Sequence, residues 1–425
     1  MLQLPYGSGF LTLEEGNAQV LRSRIEELSA GEDGRGLVRR AMDAPIGSPR
    51  LEELARGKKT CTVIISDHTR PVPSQDILPE MLADLRRGNP EIQITLLVAT
   101  GCHRATSAAE LEKKLGAEIF GRETIVVHDC ADAAANVQIG VLPSGAPLVL
   151  DRLAVETDLL VSEGFIEPHF FAGFSGGRKS VLPGVCDRVT VLGNHCGEFI
   201  ASDRARTGIL DGNPIHRDMT AAARMAGLAF IVNVVIDGDK RTAAAFAGDP
   251  LAAHEAGCRF LAGYCQVEAK PADIVITTNG GAPLDQNLYQ CVKGMTAAEA
   301  AAKPGGVVIL AAEAADGHGG EHFYQTLRDC QDPAELYDAL SARPQAETIP
   351  DQWQSQILLR ILRDHPVIFV TRPELRTMVE EMNMRWAGNL EDALTMARAI
   401  RGADASLTVI PDGVSLMVIP KPLEA

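Results

Sequence analysis

Short runs of β-branched and aliphatic residues, too brief for helices, recur along this chain at residues 61–65, 92–99, 124–127, 159–161 and 230–235. They recur again at 274–277, 307–310, 367–370 and 407–410. Segments of helical composition separate them, among them residues 374–384 and 390–400. Strands that are apolar on both faces must be covered on both faces. The alternation therefore predicts an α/β fold with largely parallel, buried sheets. At 425 residues the chain exceeds what one core ordinarily supports, so two such domains are expected. The charge and proline of Glu268-Ala269-Lys270-Pro271-Ala272 mark a connection. The reading is an N-terminal domain over residues 1–270 and a C-terminal domain over 271–425, with the active site in the cleft between them.

Composition removes several function classes. Lys plus Arg number 40 against 56 Asp plus Glu, a net charge of −16, which argues against a broad basic surface for nucleic acid. A local Arg or Lys cluster can still capture an anionic substrate, because two-pronged geometry dominates at short range. No apolar run approaches the ~18 residues of a membrane span. The first residues carry no basic segment followed by an apolar one, so no secretory signal is read and a cytoplasmic location is expected. The nine cysteines form no Cys-x-x-Cys pair, which fits reduced thiols rather than a zinc ribbon or dithiol motif.

The chemistry-bearing segments follow the predicted strands. Asp67, His68, Thr69 and Arg70 come after the first, Thr100, Gly101, Cys102, His103 and Arg104 after the second, and Ser162, Glu163 and Gly164 after the fourth. Ligands of open α/β sheets bind beyond the carboxyl ends of strands, so these loops are expected to converge on one site. The densest segment, residues 167–180, holds His169, Lys179 and three glycines, Gly173, Gly176 and Gly177, whose flexible backbone is expected to approach a ligand closely. It nearly spells the phosphate-cradling pattern Gly-x-x-x-x-Gly-Lys-Ser. However, Arg178 replaces the second glycine, and Pro183 falls where the following helix must run. His318-Gly319-Gly320-Glu321-His322 has the spelling of a zinc peptidase motif, but two glycines disfavour the helix that chemistry requires. Arg70 offers a two-pronged bond to a carboxylate or phosphate; a local ion pair with Asp67 is the plainer alternative. His128, His216, His254 and His365 stand in ordinary contexts and receive no role.

Together, Asp67-x-Thr69-Arg70-Pro71-x-Pro73, Thr100-Gly101-x-His103-Arg104, the run from His169 to Lys179, Asn194-His195 and Tyr289-Gln290-x-x-Lys293-Gly294 resemble the nickel-pincer lactate racemase family. The resemblance implies a 2-hydroxyacid racemase or epimerase that uses nickel and a pyridinium-3,5-bisthiocarboxylic acid mononucleotide. It implies that Lys179 binds this nucleotide through a thioamide, that His195 ligates nickel, and that cofactor-assembly enzymes are partners. Asp67, Thr69, Ser175, Gly176, Gly177 and Arg178 would flank the cofactor, and His103 and His169 would be the two catalytic bases. Arg70, Tyr289, Gln290 and Lys293 would hold the substrate, with Trp353 as a wall of its pocket. The implied chemistry moves the hydroxyl proton to a histidine while the α-hydrogen leaves as hydride to the cofactor. His68 and Cys102 depart from the family pattern, and the substrate is left open among lactate, malate, longer or aromatic 2-hydroxy acids and sugar acids. Two other readings are a zinc hydrolase using His318 and His322, and a cofactor carrier without turnover.

Overall fold

The computed structural model describes residues 1–28 and 33–422. They form two compact units, one of Arg24–His195 with Ser202–Gly263, the other of Met1–Ser23 with Cys196–Ala201 and Tyr264–Ala425. Both are α/β, as the strand–helix alternation predicts.

The first unit holds a six-stranded sheet of β1 (Thr60–Ser66), β2 (Gln93–Ala99), β3 (Thr124–Val127), β4 (Leu159–Phe165), β5 (Leu228–Ile236) and β6 (Thr242–Gly248). Their order across the sheet is β6-β5-β4-β1-β2-β3. All neighbours are parallel except β5 with β6. Every residue of β4 is buried; it is apolar over Leu159–Val161 and polar at Ser162 and Glu163, and the Glu163 carboxylate accepts from Ser66 Oγ at 3.2 Å and Ser74 Oγ at 2.8 Å. Val63, Leu96, Val161 and Phe230 pack in one core with Ile77 and Met81 of α1 (Ser74–Gly88). Further helices are α2 (Ala108–Leu115), α3 (Arg188–Asn194), α4 (Pro214–Met225) and α5 (Ala252–Cys265). The chain runs from β1 outward to β3 and then returns to place β4 on the other side of β1. That reversal opens a crevice beyond the carboxyl ends of β1 and β4.

The second unit holds β7 (Ala272–Thr278), β8 (Ala302–Ala311), β9 (Val367–Val370), β10 (Arg385–Ala387) and β11 (Leu407–Ile410). They are arranged β10-β9-β8-β7-β11, and the short strand Gln19–Val20 is added in parallel to β11. That pairing, with Leu4 and Leu13 packed in one core with Ile276 and Val409, places the first residues of the chain with its last third. Helices α6 (Leu288–Ala301), α7 (Glu321–Arg328) and α8 (Gln352–Asp364) carry the residues of interest. The segment read as one helix over 374–384 is a 3₁₀ turn, Pro373–Leu375, followed by a short helix, Arg376–Glu381. Asn383 in the left-handed region then turns the chain into β10.

The sequence pattern did not reveal the antiparallel pieces. The hairpins Leu2–Tyr6 with Gly9–Leu13 and Asn136–Val141 with Pro147–Asp151 are short and mixed in polarity. Strand β6, Thr-Ala-Ala-Ala-Phe-Ala-Gly, has helical composition and is extended only because β5 offers it an edge. Among the described residues no helix is long and apolar enough to cross a membrane.

Candidate active site

The loop after β1 begins with a turn closed by its own carboxylate. Asp67 Oδ1 accepts from Thr69 N at 3.1 Å and from Thr69 Oγ1 at 2.6 Å. The other carboxylate oxygen lies 2.8 Å from His103 Nδ1, from the loop after β2. Burial by itself would raise the Asp67 carboxyl. The hydrogen bond and charge of His103, then Thr69 and Arg70, outweigh it and hold the group below its ordinary value. An ionised Asp67 accepts a hydrogen bond from Nδ1–H, so Nε2 is the His103 ring nitrogen left to exchange a proton. The same loop is tied at its base, where Gly101 N donates to Gly184 O at 2.9 Å with Gly101 at φ 54°.

The loop after β4 is a small hairpin, Pro168–His169 against Gly173–Phe174, leading into a 3₁₀ turn over Gly177–Ser180. Lys179 lies in that turn, not at the head of a long helix, so the backbone of a phosphate-cradling loop does not form here. Arg178 is the hub of the segment. Buried at 3% exposure, it donates Nη1 to Phe174 O (2.8 Å) and Gly176 O (3.2 Å) and Nη2 to Ala172 O (2.7 Å). Burial lowers its value to about 10. His254 of α5 supports the hub, with Nε2 2.8 Å from Ser175 O and 3.0 Å from Arg178 Nη1. Asn233, a polar residue in the middle of apolar β5, accepts from Gly177 N at 2.7 Å.

The three glycines are hemmed in by protein where a side chain would stand. A Cβ at Gly173 would stand 2.4 Å from Ile209 O, one at Gly176 2.7 Å from Asn233 Oδ1, and one at Gly177 2.7 Å from the His254 ring. All three have positive φ, which costs an L side chain about 1–2 kcal/mol in the left-handed helical region. Their Cβ space is taken by protein, so the loop requires glycine at these positions in order to fold. Ser175, between them, is buried, with its hydroxyl 3.3 Å from Glu167 Oε1.

This packing gathers three nitrogen groups around one aromatic ring. Lys179 Nζ stands 3.2 Å from His169 Nε2 and 5.6 Å from the centre of the Phe171 ring. The His169 and His195 rings meet Phe171 edge-on, with centroids 4.4 and 5.1 Å away. His169 Nδ1 accepts from Ala172 N at 3.2 Å. His195 ends α3, its N–H donating to Val191 O at 3.0 Å. Burial first, and the nearby Lys179 charge second, lower His195 to about 3, so its imidazole is neutral and able to donate to a metal.

In the second unit, Asn287 caps α6 by accepting from Gln290 N at 3.0 Å. Gln290 and Lys293 are three residues apart and share a face of that helix. Tyr289 donates its hydroxyl to Asp351 Oδ1 at 3.1 Å, and Gln354 Nε2 donates to Tyr289 O, which ties the helix bearing Trp353 to the start of α6. Arg70 is half-buried at the end of its loop. His318 lies in the turn before α7, stacked on Tyr324, whereas His322 is inside α7. The one-face pair that a zinc peptidase needs is therefore not made.

Sequence reasoning missed His254 and Asn233. His254 gave no local signal, but an asparagine inside the run Phe-Ile-Val-Asn-Val-Val did. A buried amide in a parallel strand needs a partner, and here the partner is the Lys179 loop.

Models of the lactate racemase N-terminal domain and C-terminal domain match residues 6–208 and 267–418. The lactate racemase of Thermoanaerobacterium thermosaccharolyticum is 50% identical over 423 residues, covering 99% of each chain. That of Lactiplantibacillus plantarum is 50% identical over 420 residues, 98% of this chain and 99% of its own. The solved lactate racemase apoprotein from T. thermosaccharolyticum superposes with a TM-score of 0.95 at 50% identity, over 98% of this chain and 99% of that one. A solved Thermotoga maritima protein shares the fold at 20% identity, with a TM-score of 0.64 over 88% of this chain and 100% of that one. The chain is an isomerase and belongs to the lactate racemase family.

Proposed function

We propose that the protein inverts the C2 stereocentre of lactate, using nickel held by a pincer nucleotide bound to Lys179. The observation that carries this reading is the grouping of Lys179, His169 and the neutral His195 around Phe171. The residues fit the group. Lys179 would provide an amine for a thioamide, and the neutral imidazole of His195 would provide one nitrogen donor to the metal. When bound, this group would supply a hydride acceptor for the α-hydrogen.

The chain's own residues do the rest. His103, aligned by Asp67, takes or gives the hydroxyl proton at Nε2, and His169 does so for the opposite face of the reacting carbon. Arg70 binds the carboxylate through two parallel bonds, and Gln290 and Lys293 hold the remaining oxygens. Cytoplasmic residence and dependence on cofactor-assembly enzymes accompany this reading. The test uses holoprotein with one enantiomer of lactate deuterated at Cα, in ordinary water. Inversion with the label retained is expected, because hydride on carbon does not exchange with solvent. Early washout would mean that His103 and His169 abstract a proton from carbon instead.

A further inference from the structure

Helix α2 is bonded to both of the loops that carry Arg70 and His103. At its head Ser107 caps the helix in a reciprocal box with Glu110, whose carboxylate also receives both Arg104 Nη atoms, at 2.6 and 2.9 Å. Arg104 directly follows His103, so that loop is fastened to the first turn of α2. Thr106 Oγ1, one residue before the cap, stands 3.0 Å from His68 Nδ1 in the loop after β1. At the foot of the helix, Lys114 Nζ donates to Arg70 O at 3.1 Å. Gln75 Nε2 returns the contact, donating to Lys113 O at 3.1 Å and Lys114 O at 3.3 Å, where the helix end leaves carbonyls open. The Arg70 backbone has little else to hold it. Its own N–H makes a long bond to Asp67 O, 3.4 Å, and Pro71 and Pro73 carry no N–H to donate. Lys114 is half-buried, which lowers its ammonium below the ordinary value, and the nearby charges of Glu163 and Asp67 oppose that shift.

We propose that Lys114 is a positioning residue for Arg70, and that α2 is the strut through which it holds the arginine's backbone at a fixed offset from the His103 loop. A two-pronged pair between guanidinium and carboxylate is directional, so a backbone that wanders at Arg70 spoils the grip even though the side chain is intact. A bond from an ammonium to a carbonyl is stronger than one between neutral groups, and burial restricts the flexible lysine stem. The strut is short and bonded at both ends. The arginine and the histidine therefore move together or not at all. The consequence for substrate rests on the carboxylate role proposed for Arg70; the strut does not.

The experiment pairs two readouts on Lys114→Met, which keeps the length of the stem and removes its donors. In the full chain without cofactor, amide exchange over residues 67–74 is expected to quicken severalfold, with β5 unchanged. In holoprotein, KM for lactate is expected to rise about tenfold while kcat stays within about twofold, because a carboxylate grip serves ground and transition states alike. Lys114→Arg keeps a donor and is expected to restore most of both. In an Arg70→Met background, Lys114→Met is expected to leave KM where Arg70→Met alone puts it, since the lysine acts only through the arginine. Unchanged exchange over 67–74 in Lys114→Met would overturn the strut. Quickened exchange, with the two substitutions multiplying in KM, would overturn the positioning of Arg70. An Arg70→Met holoprotein with the wild-type KM would instead remove the carboxylate role of Arg70, and exchange alone would then judge the strut.

Discussion

The loops after β2 and β4 each carry a histidine proposed as a base, yet they are built in opposite ways. The β4 loop is sunk into the first unit. Arg178 binds three of its carbonyls, Asn233 and His254 grip its backbone, and glycines admit them at contact distance. The β2 loop is open, with the His103 side chain 46% exposed and held chiefly by one bond to Asp67. A lysine that carries a permanent load needs a seat that does not move. A histidine that trades protons with a substrate needs direction and access. On the proposed roles of Lys179 and His103 the difference separates holding from turnover, and substitutions on either side should separate them too.

The largest effect is expected from Lys179→Ala, which removes the attachment point. Intact mass of protein matured with the cofactor-assembly enzymes should show no adduct, and racemisation should be abolished, with the fold unchanged by circular dichroism. Adduct mass on that variant would break the assignment of the seat.

Next is Arg178→Met, which keeps the length of the side chain and removes its donors. Three loop carbonyls lose their partner, and each buried unsatisfied group costs about 1–3 kcal/mol, so destabilisation of about 3 kcal/mol or more is expected in urea melts. Cofactor loading should fall with it. A variant as stable as the wild type but unable to load would instead make Arg178 a direct cofactor ligand, which is how the family resemblance reads it.

The smallest of the three is Asp67→Asn. The amide can no longer enforce the Nδ1 proton on His103, so kcat should drop by about 10²-fold while loading and melting temperature near neutral pH barely change. Its acid limb should change as well. The Asp67 carboxyl is held below its ordinary value, so the stability it contributes is present above the unfolded-state value and is lost as pH falls through the folded one. The variant should accordingly show a shallower loss of stability on acidification. Equal kcat in the two proteins would remove the alignment role and leave Asp67 to the cofactor.

The sequence determined the α/β class and the central strands, because a strand buried on both faces carries a short apolar run without alternation, as Val63–Ile65 in β1 and Leu159–Val161 in β4 do. It also singled out the residues proposed for the site, since chemistry at strand ends calls for His, Lys and Arg in loops that regular periodicity does not explain. Tertiary structure alone decided what each of them touches. Asp67 turns to His103 and Arg178 to its own loop because partners from distant strands and helices compete for the same charged groups, and local sequence carries no record of who wins. It also decided that an alanine-rich segment becomes the edge strand β6 and that residues 19–20 complete a sheet begun 250 residues later. An edge supplies hydrogen bonds to whichever chain reaches it, and reach is a property of the folded whole.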